Sequence, residues 1–186
     1  MGTNQAFTAR YRRTVERVTT ETCWLCAEQT ALVALGTVDA VGIDFFRVAF
    51  TGLLGDRLLR LLRILEEDTR VASFWYLHRC NPKGVERALR SAATSLRDLR
   101  DFSRGLRSIR DKVFVHIDKA GVFDPEKIYK DAGIKDSEVA KIIRGLWTAM
   151  QDLYAATFGS AYQHDVYSGD DIALLEQCRN EIERRA

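Results

Sequence analysis

NPKGVERALRSAATSLRDLRDFSRGLRSIRDKVFVHIDK, residues 81–119, is the stretch from which the fold is read. Asn81 suits a helix N-cap and Pro82 the first helical position. Apolar or small residues then recur every three or four positions, at Val85, Leu89, Ala92, Leu96, Leu99, Ser103, Leu106, Ile109 and Val113. That period is the packing seam of one long helix, or of two in line. The next position in the series is His116. A second stripe carries Arg90, Arg97, Arg100, Arg104 and Arg107, with Arg110 at its edge. Gly105 lies inside the pattern and marks a kink just upstream of Arg110.

The same periodicity runs through most of the 186 residues, strand-like alternation is nearly absent, and only Pro82 and Pro125 interrupt as prolines. The expected fold class is therefore all-α, in a single domain over residues 1–186. An apolar content of 46% suffices for a packed core, and 29% charged residues is ordinary for a soluble protein. The most apolar region, Ala31–Leu54, carries Asp39, Asp44 and Arg47, too much charge to span a bilayer unaided. With no secretory pattern at the N-terminus, a cytoplasmic protein without a membrane partner is expected. The net charge of +2 points to no polyanion, but its distribution does. Residues 83–112 hold nine Lys or Arg against four acids. That excess marks a polyanion footprint or, alternatively, a solvated face partly neutralised by its own acids.

Outward from the central stretch, Phe7–Leu35 reads as a first long helix, and Gly36 and Thr37 break its pattern. Asp39–Leu65 reads as two helices parted near Thr51–Gly55. In LLGDRLLRLLRILEED, leucines cover one face and Arg57, Arg60 and Arg63 the other. Asp68 or Thr69 is the expected cap of the next helix, which runs to about His78. Beyond His116 a loop is expected over Ile117–Asp124, a short helix over Pro125–Asp131 closed by Gly133, and a helix from Asp136 to about Phe158. A tyrosine-bearing loop follows, and Asp170 or Asp171 caps a last helix to Arg185.

Several groups have two readings. Cys23 and Cys26 form CWLC; with His78 and Cys80 they would make a zinc set, but no second CxxC supports it, and they read as buried free cysteines. His164 sits among acids in a surface loop, and His78 reads as a partly buried core residue. Trp24, Trp75 and Trp147 read as core packing rather than stacking platforms for bases. No metal or cofactor is expected.

Arg110 and His116 remain. Six residues turn a helix by about 600°, so the two lie roughly 120° apart. They converge only if the helix ends or distorts, or if Arg110 meets a His116 from another copy of the chain. The spacing is common in an arginine-rich chain. The context, RDKVFVHIDK at a helix end beside an arginine stripe, is more specific. His116 as an ordinary helix-end residue near the C-terminal dipole is the structural alternative.

With these residues the chain resembles the HEPN superfamily, whose signature is Arg, four to six residues, then His. It is similar to the abortive-infection (AbiU-like) branch, in which a leucine-rich helix precedes the motif. The likeness covers roughly Phe46–Phe158 and is specific over Arg110–Lys119. It implies an all-α HEPN-like bundle with additional N- and C-terminal helices, dimeric, with motif helices facing each other. It further implies a metal-independent endoribonuclease, a toxin or antiviral effector, leaving 2′,3′-cyclic phosphate ends. Arg110 and His116 then take the catalytic roles, and Asp111 and Lys112 support them. Arg97, Arg100, Arg104 and Arg107 bind RNA. The partners are RNA, a second copy of the chain, and an antitoxin or other regulatory protein. One HEPN subgroup has a Tyr two residues after the His that a nucleotidyltransferase modifies; here Asp118 stands there, which sets the chain apart from it. A non-catalytic HEPN-like module binding RNA or a protein is the alternative. A helical regulatory protein with a solvated arginine face is a third.

Overall fold

The computed structural model describes residues 2–37, 44–111 and 130–185. The regular structure of the described residues is helical, with no strand among them. Helix α1 spans Gly2–Thr37, α2 Asp44–Ile64, α3 Phe74–Cys80, α4 Pro82–Ser91, α5 Leu96–Ile109, α6 Asp136–Phe158 and α7 Asp170–Arg185. The all-α expectation holds. No described helix is long and apolar enough to cross a membrane.

The helix on which most others rest is α1, not the stretch after Asn81: α2, α3, α6 and α7 all pack on it. Its 36 residues make a rod roughly 54 Å long. Threonines are mediocre helix formers because of their branched Cβ. Here Thr14, Thr19 and Thr22 are buried, and each hydroxyl donates to the carbonyl four residues back, on Arg10, Val15 and Val18. Each buried hydroxyl is thereby satisfied inside its own helix. The core joins Val15, Val18 and Leu25 of α1 to Leu58 and Leu61 of α2, Phe74 of α3 and Leu146 and Met150 of α6. A smaller cluster of Ala31, Leu35 and Ile172 seats α7 against the far end of α1. Trp24 departs from expectation. It lies 58% exposed on the outer face of α1, whereas Trp75 is buried.

The region expected as two helices around Thr51–Gly55 is one continuous α2. Gly52 has open space around it. Ala49 before it and Leu53 after it pack against the Ala31–Leu35–Ile172 cluster, Leu58 and Leu61 further on are in the main core, and this tertiary packing overrides a glycine cost of about 1 kcal/mol. Asp68 caps no helix. It forms a turn in which Arg70 N–H donates to its carboxylate at 2.8 Å, and Ser73 is the N-cap of α3. Asn81 does cap α4, accepting from Gly84 N–H at 3.0 Å, with Pro82 at the first position.

The central stretch is broken where the seam looked continuous. Ala93 adopts φ 49°, and two hydrogen bonds, Ala93 N–H to Arg90 and Thr94 N–H to Leu89, close α4 as a Schellman motif. Ser95 then opens α5 with a capping box: its hydroxyl accepts from Asp98 N–H, and the Asp98 carboxylate accepts from Ser95 N–H, both at 3.1 Å. The two segments part company, α4 packing on α6 and α5 on α2. Arg90 therefore stands on a different helix from Arg97–Arg107. An alanine in the left-handed region is strained by about 1 kcal/mol or more. Ala93→Gly is expected to stabilise the fold by about 0.5–1 kcal/mol, a rise in Tm of about 1–4 °C. A lower melting temperature in the variant would contradict the assigned cap.

Gly105 makes no kink. α5 runs through it, and its missing side chain makes room for the Ala132 carbonyl, which a Cβ would meet at 2.8 Å. Gly145 of α6 serves the α4–α5 turn in the same way. A Cβ there would run into Thr94 Oγ1 and lie 3.2 Å from Thr94 Cβ. Alanine is the better helix former by about 1 kcal/mol. Gly145→Ala is nevertheless expected to cost about 1–3 kcal/mol by overpacking, read in a denaturant titration. A neutral or stabilising result would mean that the turn moves aside freely.

Candidate functional site

Helix α5 presents two faces. Leu99, Phe102, Ser103, Leu106 and Ile109 are buried, and the arginines stand opposite. Past Ile109 the helix widens into a π-type turn at Arg110–Asp111, a local irregularity that often accompanies function. Arg110 is about one-third exposed. Its Nε donates to Asp111 Oδ1 at 2.8 Å, and its Nη1 lies 3.8 Å from Glu66 Oε2. Asp111 thus orients Arg110 directly. Lys112 and His116 lie outside the described residues, as do the loop and most of the short helix expected after them.

Arg110 closes one end of a cleft of about 560 Å³ between α1, α2 and the chain after α2. Val18, Leu62 and Ile64 form the apolar lining, and Arg17, Arg63, Glu21 and Glu66 the charged one. Beside it stands a charge cluster that periodicity did not reveal. Periodicity alone puts the arginines of α2 on one face opposite the leucines. Instead Arg57 is buried, its Nη1 donating to Gln29 at 2.6 Å and its Nη2 to Asp136 at 2.7 Å. Arg60 faces α1 and binds three carboxylates: Glu21 at 2.5 Å, Glu28 at 2.8 Å and Asp56 at 2.8 Å. Only Arg63 behaves as a solvated residue.

Glu28 is buried, and that desolvation, reinforced by its hydrogen bond with Asp56, outweighs Arg60 and lifts its carboxyl from 4.5 to about 7. Its Oε2 accepts from no donor. A proton on Glu28 shared with Asp56 accounts for both facts. Desolvation pushes Asp56 up, but hydrogen bonds from Arg60 and Glu28 bring its carboxyl below the ordinary range.

The arginine stripe is partly neutralised. Arg104 pairs with Asp101, Arg97 lies 3.7 Å from the same carboxylate, and Arg107 reaches Glu67 at 3.2 Å. Glu66 and Glu67, the EE of ILEED, thus meet the last turn of the stripe. Arg100 differs: its guanidinium lies 5.1 Å from the Trp75 ring centre, over the indole face. Trp75 is fixed by a 3.0 Å hydrogen bond from its Nε1 to the Leu65 carbonyl, which also accepts from Ser103. Arg100, Arg104 and Arg107 share a groove of about 510 Å³ with His78 and Arg79 of α3, whereas Arg97 stays outside it. The α3 wall was missed. Its only signal was the basic HisArg pair closing FWYLHR one turn before Asn81.

The remaining groups resolve structurally. Burial and then the neighbouring Cys23 push the Cys26 thiol up to about 12, and burial raises Cys23 too, so neither is an activated nucleophile. Among the described residues no three His, Cys, Asp or Glu side chains converge on a metal-sized site. His164 lies edge-on to Trp147 at 4.8 Å and stacks on Tyr162 at 5.9 Å, laying its loop over α6. His78 is edge-on to Trp75 at 6.3 Å and largely buried, as read.

Compared with models of known families, with curated proteins and with solved structures, the chain matches none.

Proposed function

We propose that the chain is a metal-independent HEPN-type endoribonuclease, acting as a cytoplasmic toxin or antiviral effector under the control of an antitoxin or other regulatory protein. Its active site is Arg110 and His116, assembled across a homodimer. One observation carries the reading. Arg110 stands at a widened helix end, aimed by Asp111 and Glu66, where an arginine-lined surface meets a charged cleft. The resemblance of Arg110–Lys119 to the HEPN signature supplies the chemistry.

RNA cleavage through its own 2′-OH needs a base for that proton and an acid for the leaving 5′-oxygen. A histidine titrating near neutral pH serves either role, and a dimer supplies two. The pentacoordinate phosphorus carries extra negative charge, which a guanidinium meets with two parallel donors. Asp111 and Lys112 orient Arg110 and add local charge. The products are a 2′,3′-cyclic phosphate and a 5′-hydroxyl. End-labelled RNA incubated with the protein in EDTA tests this. Wild type is expected to cut, and Arg110→Ala and His116→Ala are each expected to fail while remaining folded. Cleavage retained in both variants removes the assigned roles.

A second reading has its own support. Arg104, Arg107 and Arg110 each face an acid of the same chain. That pairing suits a non-catalytic HEPN-like module binding RNA or a protein. Growth separates the two: a nuclease slows it in a His116-dependent way on expression, and a module does not.

A further inference from the structure

We propose that the groove between α3 and α5 is a phosphate track for single-stranded RNA, with Arg79 and Arg100 as its primary contacts and Glu67 as a built-in competitor. The inference rests on the ribonuclease reading only for naming the polyanion as RNA.

Charge comes first. Four guanidinium groups, from Arg79, Arg100, Arg104 and Arg107, line the groove against a single carboxylate, Glu67. Arg79 and Arg100 form no ion pair among the described residues, although both are exposed. Arg100 lies over the Trp75 indole. No hydrogen bond from Arg100 to another described residue accompanies that contact, so its N–H donors are open to a phosphate, which a guanidinium can bond in bidentate fashion. The groove is of ligand-binding size.

Spacing argues for a strand rather than an isolated anion. Arg100, Arg104 and Arg107 climb α5 in steps of roughly 4.5–6 Å, and Arg110 continues the series toward the proposed catalytic end. Trp75 is only 4% exposed beneath Arg100, so it offers no platform for a base. Recognition through this groove is therefore of the backbone, independent of sequence and sensitive to salt. Glu67, 3.2 Å from Arg107, occupies the position a phosphate would take and weakens the track.

The test is fluorescence anisotropy of a labelled uridine dodecamer in EDTA, from 50 to 200 mM salt. Wild type is compared with Arg79→Ser, Arg79→Ser/Arg100→Gln, Glu67→Gln and Arg110→Ala. The double variant is expected to bind about tenfold more weakly at low salt, with the slope of log K against log salt reduced by about 1.4. Arg79→Ser alone, which breaks no ion pair, carries part of that loss and guards against misfolding at Trp75. Glu67→Gln is expected to bind two- to fivefold more tightly, an effect no unfolding mimics. Arg110→Ala is the cleavage control. Unchanged binding in the double variant, weaker binding in Glu67→Gln, or no binding by wild type would each overturn the proposal. Displacement by polyglutamate as readily as by unlabelled RNA would also overturn it, pointing to an acidic protein instead. Cleavage read in the same samples separates the two ideas. Groove-dependent binding without cleavage leaves the track and removes the ribonuclease. Arg110- and His116-dependent cleavage with unchanged groove variants does the reverse.

Discussion

Arg110→Ala is expected to lower RNA cleavage about a hundred- to a thousandfold, the scale seen when one preorganised donor to a developing anion is deleted. Its pairs with Asp111 and Glu66 are partly exposed, and such pairs contribute about 0–1 kcal/mol. The melting temperature should therefore fall by no more than about 4 °C. Arg110→Lys keeps the charge but loses the two-pronged donor geometry, and it should recover little activity. His116→Ala should cost a similar factor through lost proton transfer. Mixing the two inactive variants tests the shared site. In a symmetric dimer whose sites each take Arg110 from one chain and His116 from the other, a mixed dimer keeps one intact site. Roughly a quarter of wild-type activity then returns to the mixture. A mixture as inactive as its parents would place both residues in one chain, make cleavage depend on both histidines of the dimer, or remove the residues from catalysis.

The second large effect is on stability. Arg60→Met leaves Glu21, Glu28 and Asp56 facing one another across α1 and α2 without their common counter-ion. Removing one side of a buried charge cluster typically costs about 3–5 kcal/mol. Arg60 keeps 16% of its side-chain surface, so about 3 kcal/mol at pH 8 is expected, or some 6–12 °C in Tm. The pH dependence identifies the cause. Glu28 is an acid whose folded-state pKa is raised, from 4.5 to about 7. Its contribution is most favourable below pH 4.5 and is lost as pH rises through 7. Without Arg60 the carboxyl titrates higher still, so the deficit of the variant should widen from pH 5 to pH 8. An equal deficit at both values would mean that packing, not charge, was lost.

Periodicity made α1 and α6 legible, because a long apolar stripe has one helical reading, although α1 begins at Gly2, five residues before the expected Phe7; α7 was legible from the Asp170 expected to cap it. Local signals failed where a weak one stood in for a strong one. Ala93 holds a position that normally calls glycine, so the end of α4 looked like helix interior. The capping box of α5 uses Asp98 where glutamate is the familiar signal. Asp68 and Thr69 looked able to start α3, but Asp68 is held in the turn closed by Arg70 and the cap is Ser73, which was not among the expected caps. Gly52 looked like a break because its neighbours' packing is invisible in one dimension. Long-range pairing was hidden altogether. Arg57 and Arg60 read only as a face opposite the leucines, because their partners lie on α1 and α6, at separations of 28 to 79 residues. The same limit applies to the site. Arg110 and the stripe of α5 were legible from spacing, whereas Arg79 comes from another helix and joins only through the fold.

Asn81 ends one helix and begins the next, and it also reaches a third. Its N–H donates to the Leu77 carbonyl, its Oδ1 accepts from Gly84, and its Nδ2 donates to the Tyr11 hydroxyl at 3.2 Å. Seven residues are too few to hold a helix in water. Riveted at this joint, α3 cannot fray on its own: opening it undoes the start of α4 and loosens the grip on α1. Arg79, two residues before the rivet, is thereby carried on a part of the molecule that opens only when its neighbours do.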